Sequence, residues 1–251
     1  MQAIRLKQME QFILIHDFVT VEALCEKFDI HPNTARADIK KLVDIGVVQK
    51  KYGGVSSVKS FTPVSFGERQ QKNAEGKAAI GKIAAGRLEE EDIIYIDSGT
   101  TVPMLLQSEV PLPKSLTIIT NNLDVIIWAT GFSEYTVFVL PGKLNRQLNA
   151  FAGVETIDSI KAYNIQKAFI GARGISPNGE LSSSSSIDAK LKSTVVEMSK
   201  EVILMADMWK LDQTALFNFG YLNQVNYWIS NGQTEQMQTL ERVHKIKLLT
   251  P

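Results

Sequence analysis

Cysteine and long apolar runs are scarce in this sequence. Its one cysteine, Cys25, excludes an internal disulfide and is compatible with a reducing compartment. No apolar stretch approaches the roughly 18 residues that a membrane-spanning helix needs. The N-terminal segment MQAIRLKQMEQ lacks the apolar core of a signal peptide. The sequence therefore predicts a cytoplasmic protein that has no membrane partner.

An excess of charge of either sign is also lacking. Lys+Arg and Asp+Glu both number 27, so any signal for a polyanionic partner must be local. The three histidines and the one cysteine form no cluster with metal-ligand spacing. A G-x-S-x-G elbow, a Walker A sequence and a G-x-G-x-x-G sequence are missing too. The sequence thus predicts no metal, no cofactor and no nucleophilic serine.

Residues 1–57 are predicted to form a winged helix-turn-helix domain. Apolar residues recur at helical spacing in three successive segments, starting with the one that contains Leu6 and Met9. Thr20 is expected to cap the second helix, Pro32 to begin the third and Gly46 to end it. The sequence VVQKKYGGV that follows predicts a short strand, a basic tip and a turn, which together resemble a wing.

The third helix and the wing carry a local excess of positive charge. Residues 33–59 contain six basic and two acidic side chains, an excess of four. A surface that faces a DNA duplex needs such a patch to neutralise phosphates. A small three-helix bundle with a merely solvated polar face is the alternative, because amphipathic helices with lysines are common. The predicted DNA-binding residues are Asn33, Thr34, Arg36, Lys40, Lys50, Lys51 and Tyr52.

The rest of the chain has an α/β pattern. A weak pattern around Pro63 predicts a linker, assigned to residues 58–76, and a long helix is expected from about Glu68 to Leu88. Short apolar segments then alternate with helix-length segments, which predicts a Rossmann-like, mostly parallel sheet in a sensor domain of residues 77–251. The serine run at 182–186 predicts a flexible loop. Strands are predicted at 92–97, 116–120, 135–140, 167–172, 201–206 and 225–230.

Polar residues follow several predicted strands, above all in YIDSGTTVPML (95–105). The carboxyl ends of parallel strands gather at one edge of a sheet, where ligands bind. This turn, with a helix expected to begin at Thr100-Thr101, could be a plain turn, a serine nucleophile or an anion cradle. Only His244 lies outside the predicted DNA-binding domain as a base for Ser98, so an anion held by amides and hydroxyls is favoured. The candidate ligand-binding residues are Asp97, Ser98, Gly99, Thr100, Thr101, Thr120, Asn121, Lys143, Gly171, Arg173 and Lys210.

Seven short sequences add a family resemblance through their order and spacing. They are T-A-R-A-D-I (34–39), Y-G-G-V (52–55), D-S-G-T-T (97–101), T-N-N (120–122), P-G-K-L (141–144), F-I-G-A-R-G-I-S (169–176) and A-D-M-W-K (206–210). In them the chain resembles the DeoR-type bacterial transcriptional regulators along nearly its whole length. The resemblance implies a winged helix-turn-helix joined to a sensor domain related to sugar-phosphate isomerases. It also implies a repressor that binds a double-stranded DNA operator and is relieved by a phosphorylated sugar or polyol.

At four places the chain departs from the pattern that the resemblance implies. Arg36-Ala37 stands where consecutive arginines are usual, and Tyr52 replaces a wing histidine. Arg173 replaces a commonly acidic residue, and Met208-Trp209 replaces small residues before Lys210. Because of the first two departures, the operator of a relative is not carried over to this chain. The last two predict a ligand pocket with an added positive charge and an aromatic wall, so the usual ligands are not carried over either.

Two further hypotheses stand beside the sugar-controlled repressor. One is a sugar-phosphate isomerase or deaminase with an accessory N-terminal domain, in which Asp97 and Lys210 would be the acid–base pair. The other is a regulator that binds DNA but has lost its ligand. For a DNA-binding protein a homo-oligomer, dimer or tetramer, is expected, because one recognition helix reads only a few base pairs.

Overall fold

The computed structural model of the chain describes residues 5–6, 8–10, 12–13, 18–45, 48–51, 53–57 and 66–251. The chain divides into two units, Met1–Thr62 and Pro63–Pro251. The predicted linker, residues 58–76, falls partly on residues 58–65, which lie outside the described residues. Its later part contains a helix of the second unit. The domain bounds 1–57, 58–76 and 77–251 stay a prediction.

The first unit contains helices and a small antiparallel sheet. Its described residues between 5 and 13 are helical, and α1 (Val21–Phe28) and α2 (Pro32–Asp44) follow. The Thr20 hydroxyl accepts a hydrogen bond from the Ala23 amide at 3.2 Å, and Pro32 occupies the first turn of α2, so both predicted helix starts are confirmed. The predicted helix end at Gly46 lies outside the described residues.

Three short strands complete this unit. They are β1 (Phe18–Thr20), β2 (Val48–Lys51) and β3 (Gly54–Ser57), in the antiparallel order β1-β3-β2. The β2–β3 pair is the predicted wing, whereas β1 was not predicted. Fully buried Met9, Ile13 and Leu24 pack with Leu42 and Val55, so the helices and the wing share one core.

A seven-stranded sheet, parallel throughout, forms the centre of the second unit. Its order is β15-β14-β12-β9-β4-β5-β6. All six predicted strands are present in it. The strands are β4 (Asp92–Ile96), β5 (Leu116–Thr120), β6 (Thr136–Val139), β9 (Lys167–Ile170), β12 (Glu201–Met205), β14 (Tyr227–Ile229) and β15 (Lys247–Leu249).

Helices cover both faces of this sheet. Within β4, Ile94 and Ile96 join one apolar cluster and Tyr95 joins the other, because successive side chains of a strand point to opposite faces. The confirmed fold is therefore an α/β domain in the second unit and a winged helix-turn-helix in the first. The helices of this unit are α3 (Phe66–Gln71), α4 (Ala74–Ala85), α5 (Leu123–Ala129), α6 (Val154–Ile160), α7 (Ser186–Met198) and α8 (Glu235–His244). Smaller strands are β7 (Lys143–Asn145), β8 (Ala150–Ala152), β10 (Gly174–Ile175), β11 (Glu180–Ser183) and β13 (Phe217–Tyr221).

Two helix predictions need correction. The helix expected from about Glu68 to Leu88 is divided into α3 and α4, because Asn73 between them adopts a left-handed conformation with φ 55°. The helix expected from Thr100 is a single 3-10 turn, Val102–Leu105, with Met104 donating to the Thr101 carbonyl at 3.1 Å. A β-carbon at Gly81 would lie 2.5 Å from the Met104 carbonyl oxygen, so the missing side chain lets this turn pack against α4.

The predicted flexible loop at 182–186 is wrong. Ser182 and Ser183 are buried in β11, which pairs with β10 and β13. The Ser183 hydroxyl donates to the Asp188 carboxylate at 2.6 Å, and Ser185 caps α7. Composition suggested flexibility because serine is common in loops, but here the hydroxyls have partners that only the fold brings near.

Among the residues described, no helix combines the length and the apolar character that crossing a membrane requires.

Candidate DNA-binding surface and ligand site

The predicted DNA-binding residues that the structure describes lie on α2 and β2. Asn33, Arg36 and Lys40 are exposed on α2, and Thr34 is half-buried. Lys50 and Lys51 are exposed on β2, and with Arg36 they line one surface depression between the helix and the wing. Tyr52 lies outside the described residues.

Burial of one acidic side chain sharpens the charge of this surface. Asp38 is fully buried on α2, and its carboxylate pairs with the Arg5 guanidinium at 2.8 Å. Of the two acidic residues in 33–59, only Asp44 is therefore exposed. Within residues 33–59 the exposed charge is therefore more positive than the sequence count indicates, and the exposed Glu22 of α1 is the acidic side chain that lines the same depression as Arg36.

In the second unit, the loop Asp97–Thr101 leaves β4 at the carboxyl edge of the sheet. Within the described part of the chain, nothing accepts a hydrogen bond from the amides of Ser98, Gly99, Thr100 or Thr101. Gly99 has φ 101°, and a β-carbon there would meet no atom within 4 Å. Four consecutive amides without an acceptor among the described residues, next to a positive-φ glycine, are donors of the kind that hold anions in proteins.

Cations follow two strands that end at the same edge. Arg173, after β9, and Lys210, after β12, are half-buried. Neither side chain has a hydrogen bond or ion pair with a described residue. Burial lowers the pKa of both groups. For Lys210, Asp207 raises the pKa, whereas the positive charges of Arg173 and Arg69 lower it further. Cations that repel one another at a half-buried edge are stabilised when an anion binds among them.

Two more cations belong to this cluster and were not predicted. Arg69 lies on α3, where burial and the nearby Arg173 lower its pKa to about 10. Lys77 lies on α4, where burial and Lys210 lower its pKa to about 8. Its ammonium donates to the Arg69 carbonyl, to which the Thr100 hydroxyl also donates at 3.5 Å. A signal existed in the sequence, because Lys77 falls on the same helix face as buried Ile80 and Ala84.

A buried ionic network lies behind the loop. Asp97 is fully buried, and one carboxylate oxygen accepts from the Gly171 amide at 2.9 Å and from the Lys192 ammonium. Asp188 lies 3.5 Å from that ammonium and accepts from the Ser98 hydroxyl at 3.1 Å. Burial raises the pKa of Asp97 and Asp188 adds to this effect, whereas Lys192 opposes it. The network joins β4, β9 and α7 and fixes the loop from beneath.

The other predicted ligand residues take different positions. Thr120 and Asn121 are buried, and their side chains donate to the carbonyls of Ile96 and Phe151 at 2.7 and 2.8 Å. Lys143 is exposed on β7. The enzyme hypothesis needs Asp97 and Lys210 as an acid–base pair, but Asp97 is ion-paired with Lys192 and not with Lys210.

A helix-turn-helix with an exposed basic face, joined to an α/β domain whose sheet edge gathers backbone amides and cations, is typical of a transcriptional regulator with a ligand sensor. Residues 5–61 match the DeoR-like helix-turn-helix domain, and residues 72–232 match the DeoR C-terminal sensor domain. The chain belongs to the DeoR family, whose members are DNA-binding transcriptional regulators and not enzymes.

Named relatives agree with this assignment. The chain is 32% identical over 226 residues to the HTH-type transcriptional regulator IolR of Bacillus subtilis, covering 90% of each chain. It is 25% identical over 209 residues to the glycerol-3-phosphate regulon repressor of Escherichia coli, covering 83% of this chain and 82% of the relative. A solved structure, the sorbitol operon regulator SorC of Klebsiella pneumoniae, is 13% identical with a TM-score of 0.42, covering 95% of this chain and 97% of the other.

Proposed function

We propose that this regulator is a repressor of a sugar or polyol catabolic operon, released from its operator when the sensor domain binds a phosphorylated sugar or polyol. One observation carries the proposal: the amides of residues 98–101 and the side chains of Arg173 and Lys210, none of which has a hydrogen-bond or ion-pair partner among the described residues, lie at the same edge of the sheet. A phosphate group accepts several hydrogen bonds at once and offsets positive charge. The name of the glycerol-3-phosphate regulon repressor supports the same class of ligand.

In this proposal different residues at the sheet edge bind different parts of the ligand. Ser98, Gly99, Thr100 and Thr101 hold the phosphate. Arg173 and Lys210, joined by Arg69 and Lys77, supply positive charge. Gly171 and Lys143 complete the side of the pocket that meets the sugar hydroxyls, whereas Thr120 and Asn121, which are buried and donate to backbone carbonyls, support that side from within the fold. Asp97 acts from beneath, because its carboxylate is fully buried and engaged by Lys192 and the Gly171 amide.

Replacing Thr100 with alanine is expected to weaken binding of a phosphorylated sugar by roughly 1.5–3 kcal/mol, the loss of one charge-assisted hydrogen bond. The ligand is first chosen by thermal-shift screening of phosphorylated sugars, and its affinity is then measured by calorimetry. The unphosphorylated sugar should bind far more weakly to the wild type. Thr239→Ala is the control, since its hydroxyl also donates to a backbone carbonyl but lies on α8. Equal affinity for the sugar and its phosphate, or an unaffected Thr100→Ala, would refute the phosphate cradle.

On the DNA side, we propose that Asn33, Thr34, Arg36 and Lys40 meet base edges and nearby phosphates, while Lys50, Lys51 and Tyr52 follow the backbone. The exposure of the described members and the burial of Asp38 support this. We further propose that at least a dimer binds, because two recognition helices then read two half-sites. The edge of β6 supports a subunit contact, since residues 135–140 carry no charge and Phe138 and Val139 are exposed. The site of action is the cytoplasm, where the operator is.

Replacing Arg36 with alanine is expected to weaken operator binding by roughly 1–3 kcal/mol, with relaxed specificity at one base pair. Lys51→Ala should instead weaken binding to all sequences alike and flatten its salt dependence. Gel-shift titrations at several salt concentrations measure both effects and give the number of protomers per operator. Lys161→Ala, an exposed lysine of the sensor domain, is the control. Wild-type binding by an Arg36/Lys40/Lys50 triple variant would contradict the assignment.

A further inference from the structure

We propose that Asn122 is a positioning residue that orients the loop Asp97–Thr101 and so makes it an anion site; the inference rests on the proposed function. Asn122 is fully buried at the end of β5. Its side-chain amide nitrogen donates to two loop carbonyls, that of Asp97 at 3.0 Å and that of Gly99 at 3.4 Å. The side-chain amide of Asn122 therefore holds two peptide units of the loop, the one between Asp97 and Ser98 and the one between Gly99 and Thr100.

The orientation of these carbonyls decides where the loop donors point. In a trans peptide unit the N–H points away from the C=O of the same unit. Turning the carbonyls of Asp97 and Gly99 towards Asn122 therefore turns the amides of Ser98 and Thr100 away from it. These are two of the four amides that have no acceptor among the described residues. Without the two bonds from Asn122, either peptide unit is free to rotate and withdraw its donor.

The remaining contacts of Asn122 hold its side chain in place. Its side-chain oxygen accepts from the amides of Asp124 at 2.9 Å and Val125 at 3.5 Å, which caps α5. The backbone amide of Asn122 donates to the Thr120 hydroxyl at 3.0 Å. Serine or aspartate would cap the helix equally well. Asparagine carries its cap acceptor and its two N–H donors on separate atoms, so one side chain can cap α5 and donate to both loop carbonyls at once.

Two substitutions separate the cap from the donor. Asn122→Ser keeps a helix-capping oxygen and loses the amide nitrogen that donates to both loop carbonyls; the single, shorter hydroxyl of serine has one proton and cannot serve both. Asn122→Asp keeps the cap as well, but at neutral pH it places an ionised carboxylate against two carbonyl oxygens. When that carboxylate is protonated, its O–H can donate to a carbonyl as the amide did. A purely structural role in capping α5 predicts no such dependence on the protonation of the side chain.

The experiment titrates sulfate into the full-length protein and follows backbone amide shifts by NMR. Sulfate is chosen because its charge stays constant between pH 5 and 8. This pH range covers the pKa expected of a buried aspartate, which burial raises by about 1–4 from its usual value of about 4. Wild type should bind sulfate with shifts at Ser98 and Thr100. Asn122→Ser should bind at least about tenfold more weakly, as for the loss of a hydrogen bond of ordinary net strength. Thr234→Ala, which removes the cap of α8, should bind as wild type does.

The pH profile supplies the second readout. Asn122→Asp should fail to bind sulfate at pH 8 and approach wild-type affinity at pH 5, each compared with wild type at the same pH. Asp97, Asp124, Asp188 and the cations around the loop are common to both proteins, so their titration cancels in this ratio. Equal sulfate affinity in Asn122→Ser and wild type, or an Asn122→Asp variant with no recovery on acidification, overturns the inference and leaves the anion site standing. Wild type that binds no sulfate at the loop overturns both the inference and the phosphate cradle.

Discussion

Replacing Lys192 with methionine is expected to destabilise the sensor domain by roughly 3–5 kcal/mol, the usual effect of removing one partner from a buried ion pair. Lys192 is almost fully buried between Asp97 and Asp188, which are equally inaccessible. Burial alone would lower the pKa of Lys192, but the carboxylates of Asp188 and Asp97 outweigh it and raise that pKa. Methionine fills a similar volume, so the loss of unfolding free energy reflects the missing charge and not a cavity.

The pH dependence of this effect has a definite sign. In the wild type, the raised pKa of Lys192 means that its contribution to stability is present throughout the neutral range. That contribution is lost only as the pH rises above about 10.4, through the raised pKa. In Lys192→Met, the carboxylates of Asp97 and Asp188 face each other without a cation, and the pKa of at least one rises. The destabilisation should therefore be largest at pH 7 and shrink as the pH falls towards 5 and a proton is taken up.

Urea unfolding measures this difference in one part of the chain. All three tryptophans, Trp128, Trp209 and Trp228, belong to the second unit, so their fluorescence follows the sensor domain. Lys190→Met is the matched control, because Lys190 is exposed on the same helix. A deficit below about 1 kcal/mol, as for an exposed pair, or one that does not change between pH 7 and 5, would contradict the assignment.

The strands could be predicted from the sequence because most of them are buried on both faces. Ile94, Tyr95 and Ile96 are all inaccessible, so the run is continuously apolar and stands out against the polar segments around it. The strand β15, only three residues long at the edge of the sheet, gave no comparable signal. Asn73 divides a helix that periodicity alone made continuous, because a left-handed residue leaves the apolar pattern on either side unchanged.

The candidate site was predictable only where it lies in one short segment. The residues of D-S-G-T-T (97–101) are adjacent in sequence, so their amides and hydroxyls could be recognised together. Lys192 is 95 residues away from Asp97, and no local pattern reveals that contact. In T-N-N, two adjacent asparagines look alike in sequence. Only the fold shows that the side chain of Asn122, and not that of Asn121, donates to the loop.

Replacing Gly99 with valine is expected to abolish anion binding at the loop, with a loss of about a hundredfold or more, equivalent to two charge-assisted hydrogen bonds. Gly99 has φ 101°, a conformation that a β-branched residue avoids at a strain of roughly 1–3 kcal/mol. The peptide unit can relieve this strain by rotating, which would break the bond from Asn122 to the Gly99 carbonyl and turn the Thr100 amide away. If the loop instead keeps its shape, the valine side chain enters a space that holds no protein atom within 4 Å of the β-carbon position. We expect an anion bound by the loop amides to need that space, so both outcomes should remove the site.

Gly53→Val is the control that distinguishes the effect of backbone strain from the effect on the anion site. Gly53 has φ 79° in the wing turn, and a β-carbon there also meets no atom within 4 Å, so the backbone strain is comparable. Sulfate titrations should show binding by wild type and Gly53→Val and none by Gly99→Val, with an intermediate affinity for Gly99→Ala. Tryptophan fluorescence should show a folded sensor domain in all four proteins, because a β-carbon at Gly53 or Gly99 meets no atom within 4 Å. Wild-type sulfate affinity in folded Gly99→Val would mean that the loop is only a turn, and that Arg173 and Lys210 draw the anion elsewhere.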